Sequence, residues 1–406
     1  MSASVAVLKF GGTSLADREK RALARRRVRE AMEQGHAVVA VVSAMGRAPN
    51  PYATDSLLAL LGDSQTRSRN ADLLLATGET ISAAVFAAEL EIEGTACVAL
   101  TGAQAGIVTD ERFGDATIRR VESEALRALL DDGIVAVVAG FQGASESGLV
   151  VTLGRGGTDL SAVAIGHALG AQRVDIYTDV SGVMTADPRR LPEARTIAHA
   201  THEEVAELAQ HGAKVMHYKA AEYARRTKTP YTILGLQTDR GTLVQESVAH
   251  HRAVTGVALS SALTWVRVIR GDIENPTKRM ETELEMFARI AKARISIDQV
   301  TINQAGVAFV VEGERGNEVR RLLGDLNLAV RVREGCAKLS VVGEGMREEP
   351  GVIHELVSAL AQENVEIIHC TDSNVTISVL VPAPDGARAE AAAHRRFSLD
   401  VGDPVA

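Results

Sequence analysis

The chain has 406 residues, and at roughly 150 residues per domain this length predicts two or three domains with cores of their own. Apolar residues make up 46% and charged residues 24% of the chain, an ordinary globular composition that excludes wholesale disorder and collagen-like sequence. No run of 18 uninterrupted apolar residues occurs, and no basic leader or signal-length apolar region precedes Gly11. We therefore expect no transmembrane helix, no membrane partner and a cytoplasmic location.

Charge and metal-binding residue types narrow the function classes further. The net charge is −8 and aromatic residues make up only 3% of the chain, which argues against nucleic-acid binding. Cys97, Cys336 and Cys370 are isolated and no histidines have HExxH spacing, so we predict neither disulfides nor a protein-held metal. The basic segment 18–29 lies in a predicted helix; we interpret it as a solvated face, or alternatively as an attractor of an anionic ligand.

Over the first 240 residues, short apolar β-branched runs alternate with longer amphipathic stretches. This alternation predicts an α/β sandwich with a mainly parallel sheet. The predicted strands are 5–10, 37–43, 134–140 and 173–178, and the predicted helices are 16–34, 69–92, 114–132, 157–170 and 201–226. Because ligands of open α/β sheets bind beyond the carboxyl ends of strands, the glycines that follow strand ends indicate where the site should lie.

Beyond the polar segment 245–253, which we interpret as a linker, the pattern changes to two units with a shared β-α-β-β order. The first unit has a predicted strand 264–270, helix 281–293 and strands 295–302 and 306–312. The second has strand 337–342, helix 350–363 and strands 365–371 and 374–381. A duplicated split β-α-β unit accounts for both. We place the domains at 1–244, 245–334 and 335–406.

The segment Lys9-Phe10-Gly11-Gly12-Thr13-Ser14 joins the first strand to the first helix. Two glycines let the backbone approach a ligand, the helix N-terminus favours a phosphate, and Lys9 adds a compact positive charge. Lysine precedes both glycines, so the segment is neither a Walker P-loop nor a GxGxxG turn. A plain strand-to-helix turn capped by Thr13 or Ser14 is the alternative.

A second glycine-rich turn, residues 153–159, opens the predicted helix 157–170. Its Arg155 suits a carboxylate, because the guanidinium fork can pair with both oxygens. Asp159 is either a functional carboxylate or a simple helix cap. Two such turns, one with lysine and one with arginine, suggest two anionic groups held face to face.

Other candidates are weaker when taken singly. Glu79 follows a glycine and could bind a substrate ammonium or be a surface residue. Lys214 could reach phosphates or lie in solvent after a helix. Nucleotide-side candidates at the end of the predicted strand 173–178 could equally belong to plain turns; these are Thr178, Asp179, Asp187 and Arg189.

Together these residues closely resemble the aspartate kinase family, which has the amino-acid kinase fold. The resemblance rests on nine segments, KFGGTS (9–14), VVSAMG (41–46), YATDSLL (52–58), LLATGE (74–79), LTGAQAG (100–106), VAGFQG (138–143), LGRGGTD (153–159), YTDVSGVMTADPR (177–189) and GAKVMH (212–217). The C-terminal units resemble two ferredoxin-like ACT domains, with VGEGM (342–346) in the second. The chain is most similar to the monofunctional, diaminopimelate-inhibited class.

The resemblance implies a three-layer kinase domain that transfers a phosphoryl group from ATP to the side-chain carboxylate of L-aspartate, the first step toward lysine, diaminopimelate, threonine and methionine. ATP and Mg²⁺ carried with ATP are the implied cofactors. The implied catalytic residues are Lys9 and Asp159. The implied ATP-binding residues are Lys9, Phe10, Gly11, Gly12, Thr178, Asp179, Asp187, Arg189 and Lys214. The implied aspartate-binding residues are Ser43, Glu79, Arg155, Gly156, Gly157 and Thr158.

The resemblance also implies feedback by diaminopimelate, lysine or threonine and a homodimer or dimer of dimers through the ACT domains. The sequence departs from the family at Thr158, Ser181 and Tyr218. It also departs in residues 274–279 and 373–376 of the two C-terminal units, which leaves the effector open. A related kinase for another small carboxylate and a catalytically inactive amino-acid sensor are the alternatives.

Overall fold

The computed structural model describes residues 4–62, 66–213, 216–248, 252–269, 276–326 and 328–401. Contacts divide the chain into two compact units. The first unit comprises Met1–Met184, Thr196–Gln210 and Lys214–Ala249, and the second comprises Thr185–Arg195, His211–Ala213 and His250–Ala406. The two short segments of the second unit thus come from the part of the sequence that we assigned to the catalytic domain.

The first unit is a three-layer α/β structure, as the alternating pattern predicts. Its strands are β1 Ser4–Phe10, β2 His36–Val42, β3 Cys97–Leu100, β4 Ile107–Thr109, β5 Ile118–Val121, β6 Val135–Ala139, β7 Gln142–Ser145, β8 Val150–Thr152, β9 Arg173–Thr178, β10 His199–Thr201, β11 Tyr231–Gly235 and β12 Gly241–Gln245. Its helices are α1 Arg18–Glu33, α2 Thr54–Ala59, α3 Arg69–Ile92, α4 Glu124–Asp131, α5 Gly157–Leu169, α6 His202–Gln210 and α7 Tyr218–Thr227.

The central sheet has eight strands in the order β10-β12-β11-β9-β1-β2-β6-β3. All neighbouring strands are parallel except β11 and β12. Apolar side chains of the inner strands are buried because helices cover both faces; Phe10, Phe86, Leu90 and Tyr177 belong to one such cluster. Parallel strands end at the same edge, so the residues that follow β9, β1 and β2 lie side by side.

The longest helix, α3, is the one described helix with the length and composition to cross a membrane. Half of its most apolar 18-residue window is buried inside the structure. A core helix of a globular domain passes the same test, because one buried face already requires many apolar residues.

Two helix predictions were wrong in part. Residues 118–121 form strand β5, with Ile118 buried and the next two side chains exposed, and only Glu124–Asp131 is helical. β5 belongs to a separate sheet of order β5-β4-β7-β8 that the sequence analysis did not find. The predicted helix 201–226 is two helices, because the chain leaves the helical conformation at Gly212, which has a φ of +114°.

The basic segment of α1 is an ion-paired helix face. Arg25 and Arg27 are buried, with relative exposures of 7% and 8%, so interpreting the whole segment as solvated was wrong. Arg25 donates to Glu93 at 2.8 Å and pairs with Glu89, and Arg27 pairs with Asp239. Most of this positive charge is therefore compensated within the first unit, which also disfavours the alternative of a free anion attractor.

The second unit is built on one six-stranded sheet of order β14-β15-β13-β16-β18-β17. Its strands are β13 Gly256–Ile269, β14 Asp298–Asn303, β15 Gly306–Glu312, β16 Ala329–Val342, β17 His369–Asp372 and β18 Thr376–Pro382. Its helices are α8 Pro276–Lys292, α9 Arg315–Leu322, α10 Val352–Gln362 and α11 Gly386–Arg396, of which α9 and α11 were not predicted.

The two β-α-β-β halves share their central strands. Residues 256–260 of β13 pair with residues 338–342 of β16 in one half, and residues 263–269 pair with residues 329–336 in the other. Register shifts between Ser260 and Trp265 separate the two stretches. A boundary between residues 334 and 335 therefore passes through the interior of β16.

Candidate active site

A cavity of about 560 Å³ in the first unit lies beyond the carboxyl ends of the strands, where the glycine turns predicted it. It brings together most of the residues singled out in the sequence. The predicted residues that line it are Lys9, Gly11, Gly12, Ser43, Glu79, Arg155, Gly156, Gly157, Thr158, Asp159, Thr178 and Asp179. Segments far apart in the sequence thus converge on one cavity.

Lys9 and Asp159 form an ion pair at the floor of the cavity. The Lys9 Nζ atom lies 2.6 Å from Asp159 Oδ1, and the two side chains are only 9% and 13% exposed. Lys9 is the penultimate residue of β1, and Asp159 lies in the first turn of α5. An ammonium has three N–H donors, so Lys9 can keep Asp159 as a partner and still donate to an anionic ligand.

The Gly11–Gly12 turn follows β1 and packs closely against the loop that follows β2. Gly46 N donates to Gly12 O at 2.9 Å. A Cβ atom at Gly12 would lie 2.6 Å from Ala44 O, which is too close for any side chain. The turn needs glycine here because two backbone segments meet. The Phe10 side chain stacks on Tyr177 in the core, with ring centroids 5.1 Å apart, and Phe10 is not among the residues that line the cavity, so its role in ATP binding stays a prediction.

Arg155 stands on a turn that glycine makes possible. Gly154 and Gly156 have φ angles of +76° and +74°, a conformation that other residues rarely adopt. A Cβ atom at Gly156 would lie 2.0 Å from His217 Cβ, so His217 supports the turn from behind. Arg155 itself is exposed and lines the cavity, where its guanidinium is available to a ligand.

Glu79 is a buried acid in the cavity wall. It lies in α3 with an exposure of 2%, and its Oε1 accepts a hydrogen bond from Ala44 N at 3.2 Å. Its Oε2 has no hydrogen-bond partner within the part of the chain that the structure describes. Burial raises the pKa of this carboxyl group from 4.5 to about 8. A buried carboxylate with a vacant oxygen is well suited to a cationic group of a ligand.

Thr178 and Asp179 connect this cavity to a second one of about 350 Å³. Thr13 also lines both, and Ser14 and Lys20 line the second. The second cavity lies beyond the ends of β9 and β11 and the start of α1, and it continues the site along the edge of the sheet.

Besides Phe10, three predicted ATP-binding residues are not placed in the cavity lining. Asp187 and Arg189 belong to the second unit, where the Arg189 guanidinium donates to both Asp187 oxygens at 3.0 Å and lowers the pKa of that carboxyl group. Lys214 lies outside the described residues. Roles for these three in nucleotide binding stay predictions.

The structure adds residues that the sequence analysis missed. Arg47, Asp55 and Arg67 line the cavity. Asp72 is fully buried and accepts hydrogen bonds from Gly114 N and Thr152 N, at 3.0 and 2.7 Å. Those two backbone groups belong to the cavity wall, so Asp72 holds the wall in place.

Signals for two of these residues were present in the sequence. Arg47 comes directly after VVSAMG, and Asp72 is a lone acid in the otherwise apolar stretch 71–76. The residues that each of these two side chains contacts are known only from the tertiary structure.

His217, one of the histidines without HExxH spacing, is half-buried beside the Arg155 turn. Burial lowers its pKa, with a smaller opposing effect of the Asp159 charge. Its Nδ1 accepts from Lys219 N at 3.4 Å, and the Lys219 ammonium pairs with Asp115. These contacts join residues 217–219 to two loops that border the cavity.

Comparison with known proteins agrees with this geometry. The Amino acid kinase family matches residues 4–235, and an ACT domain matches residues 339–397. Aspartokinase 1 of Bacillus subtilis is 42% identical over 97% of this chain and 99% of its own. E. coli aspartokinase III, solved in complex with aspartate and ADP in its R state, has a TM-score of 0.79 at 26% identity and covers 97% of this chain and 100% of its own.

The same E. coli enzyme, solved with lysine and aspartate in its T state, has a TM-score of 0.73 at 25% identity, with 97% of this chain and 99% of its own covered. The family match spans more than half of the chain, and the B. subtilis relative aligns with nearly all of it. The chain therefore belongs to the amino acid kinase family and, within it, to the aspartokinases.

Proposed function

We propose that this cavity transfers the γ-phosphoryl group of ATP to the side-chain carboxylate of L-aspartate, giving 4-phospho-L-aspartate and ADP. The observation that carries the proposal is one cavity that holds a buried lysine, an exposed arginine and a buried, incompletely satisfied glutamate. This set matches the charges of a phosphoryl group, an α-carboxylate and an α-ammonium. The aspartokinase relatives, one of them solved with aspartate and ADP, support the same reaction.

Glu79 and Arg155 hold the amino-acid end of the acceptor in this proposal. The vacant Oε2 of Glu79 accepts from the aspartate ammonium, and Arg155 pairs with the α-carboxylate through two N–H groups. Ser43 and the turn Gly156-Gly157-Thr158 complete this side. Because the protein holds the α-ammonium and the α-carboxylate of aspartate, the side-chain carboxylate is free to point toward the phosphoryl donor.

Lys9 stabilises the charge that moves during transfer. An acceptor oxygen attacks the γ-phosphorus, the bond to the β-phosphate oxygen breaks, and ADP leaves with that electron pair. No covalent enzyme intermediate is needed, so the protein contributes position and fixed charge. Asp159 orients the Lys9 ammonium toward the phosphoryl group, which is why their close pairing at low exposure matters.

The nucleotide lies along Gly11, Gly12, Thr178 and Asp179 in this proposal. The roles that the resemblance implies for Asp187, Arg189 and Lys214 stay predictions. Mg²⁺ usually keeps several waters and binds through one or two carboxylates plus substrate phosphates. Asp179, at the junction of the two cavities, is the acid best placed to face an ion that arrives with ATP. The ion would neutralise phosphate charge beside Lys9.

The second unit supplies regulation in this proposal. It consists of two ferredoxin-like halves, and the second is matched as an ACT domain. E. coli aspartokinase III has been solved with lysine, which supports an amino-acid effector such as diaminopimelate, lysine or threonine. A homodimer or dimer of dimers through this unit and a cytoplasmic location, where ATP is available, complete the proposal.

A coupled assay for ADP tests the reaction directly. With purified full-length chain, ATP and Mg²⁺, we expect turnover with L-aspartate and little with L-glutamate or N-acetylglutamate. Turnover with another carboxylate but not with aspartate would mean that the acceptor is that other carboxylate. No turnover at all would indicate an amino-acid sensor. The same assay, repeated with diaminopimelate, lysine and threonine alone and in pairs, identifies the effector; unchanged rates with all three would contradict the regulatory proposal for them.

A further inference from the structure

Arg47 reaches across the glycine turn that we assign to the phosphates. The strands β9, β1 and β2 are neighbours in the sheet in that order. Asp179 follows β9, Gly11 and Gly12 follow β1, and Arg47 lies in the loop after β2. The Arg47 guanidinium nevertheless contacts Asp179, with Nη2 3.3 Å from Oδ2. This ion pair therefore spans the width of β1 at the edge where the cavity opens.

The loop that carries Arg47 is anchored by its backbone and not by the arginine. Ala44 N donates to Glu79 Oε1 and Gly46 N donates to Gly12 O, at 3.2 and 2.9 Å. The carbonyl of Arg47 accepts from Asn50 N at 2.8 Å. The Arg47 side chain is thus free to change partners while its Cα stays in place beside the turn.

The contact between Arg47 and Asp179 is easy to exchange. The side chains are 71% and 52% exposed, and a single N–H group connects them. Exposed ion pairs of this kind contribute little to stability, because solvent screens them. A phosphate offers the same guanidinium two oxygens and more charge, which makes it the stronger partner.

We propose that Arg47 is a further catalytic residue, which leaves Asp179 when ATP binds and donates to the γ-phosphoryl group as it is transferred. The proposal rests on the proposed function above. Arg47 adds fixed positive charge to the cavity that Lys9 also lines, and its guanidinium only donates hydrogen bonds to the substrates. Its departure also frees the Asp179 carboxylate for the nucleotide side.

Nucleotide binding tests the contact without relying on turnover. In calorimetric titrations of the full chain, Arg47→Ala should weaken a non-hydrolysable ATP analogue by about tenfold and leave ADP within about twofold, because only the analogue has a γ-phosphate. Arg47→Lys should recover part of the loss, since it keeps the charge and loses the fork. Equal changes for both nucleotides, or no change for either, would overturn the proposal.

Kinetic measurements distinguish direct stabilisation of the phosphoryl group by Arg47 from a role in which Arg47 only holds Asp179 in position. We expect Arg47→Ala to lower kcat by about 10²-fold, as for loss of a charge-stabilising group in other transfers. If Arg47 only holds Asp179, the substitution will have no further effect in an Asp179→Asn background; we expect a further fall of at least about tenfold there. Arg225→Ala is the matched control, because Arg225 makes an exposed pair with Glu222 outside the cavity lining.

The proposal fails separately from the proposed function. If wild-type enzyme phosphorylates aspartate and Arg47→Ala matches it in kcat, the role of Arg47 is wrong and the function stands. If wild-type enzyme does not turn over aspartate, the function is wrong, and the two titrations still decide whether Arg47 contacts a γ-phosphate.

Discussion

Lys9 lies in strand β1 and Asp159 in the first turn of helix α5, and the charged atoms of the two side chains are 2.6 Å apart. Neither side chain is more than 13% exposed, so each charge depends on the other for compensation. The lysine that we propose to act in catalysis therefore has a partner whose charge it compensates at low exposure.

Lys9→Met should abolish most activity by removing the charge on the transferring group, and we expect kcat to fall by about 10²- to 10³-fold. It also leaves Asp159 buried without its counter-charge, so unfolding by urea should show a loss of about 3 kcal/mol. Lys228→Ala is the control, because Lys228 forms an exposed pair with Glu246. A variant with wild-type kcat would rule out this role.

Adding Asp159→Asn to Lys9→Met separates stability from catalysis. The double variant removes both charges, so most of the lost stability should return while kcat stays low. Urea unfolding and the ADP assay on the wild type, the two single variants and the double variant complete a double-mutant cycle. Recovery of activity together with stability would mean that Lys9 acts through folding alone.

Aspartate binding should release a proton near neutral pH. Burial raises the pKa of Glu79 to about 8, so at pH 7 the empty site holds a proton that the substrate ammonium must displace. Affinity for aspartate should therefore rise between pH 6 and 8, by at most about tenfold per pH unit. Calorimetry in buffers of different ionisation enthalpy measures the released proton.

Stability of the empty enzyme should change in the opposite direction. The folded state keeps this proton between pH 4.5 and about 8, where an unfolded Glu79 would lose it, so the contribution of Glu79 to stability declines as pH rises through that window. Glu79→Gln should bind aspartate weakly, without proton release. If the wild-type enzyme binds aspartate at pH 7 without releasing a proton, Glu79 is not the partner of the aspartate ammonium.

Arg155→Lys should weaken aspartate binding more than it slows transfer. Lysine keeps the positive charge but offers a point contact in place of a two-pronged one. We expect KM for aspartate to rise by about tenfold and kcat to change by less, with KM for ATP unaffected. Steady-state kinetics with each substrate varied in turn provide the check, and an unchanged KM for aspartate would remove Arg155 from the acceptor side.

Gly156→Ala should damage both stability and activity, and Gly148→Ala is its matched control. The two glycines have φ angles of +74° and +78°, so backbone strain is similar and costs about 1–2 kcal/mol in each. Only at Gly156 would the new Cβ collide, 2.0 Å from His217 Cβ, whereas nothing lies within 4 Å at Gly148. If Gly156→Ala and Gly148→Ala have equal unfolding free energies and equal KM values for aspartate, the turn can accommodate a Cβ atom at residue 156.

Local sequence pattern predicted the parts of the fold that local pattern determines. Helix α3 and strand β9 have the predicted bounds, because long apolar periodicity and a short β-branched run before a turn are unambiguous. Strand β5 was mistaken for helix because four residues are too few to establish a period of two. The same limit hid the four-stranded sheet to which it belongs.

The candidate site shows the same division. Glycine turns with Lys9 and Arg155 are continuous in sequence and could be predicted, and the cavity contains both. The contact of Arg47 with Asp179 depends on which strands are neighbours, and the hydrogen bonds of Asp72 depend on how α3 meets β8. Strand order and helix packing are long-range properties, so no local spacing announces these partners.

The central strands of the second unit have a consequence for how that unit can be engineered. Each of the 14-residue strands β13 and β16 belongs to both ferredoxin-like halves and pairs with the other along nearly its whole length. Neither half can be deleted, or exchanged for its counterpart from another chain, without severing two continuous strands. The halves should consequently melt together as one cooperative unit, and a chimaera intended to respond to a new effector has to transplant the pair.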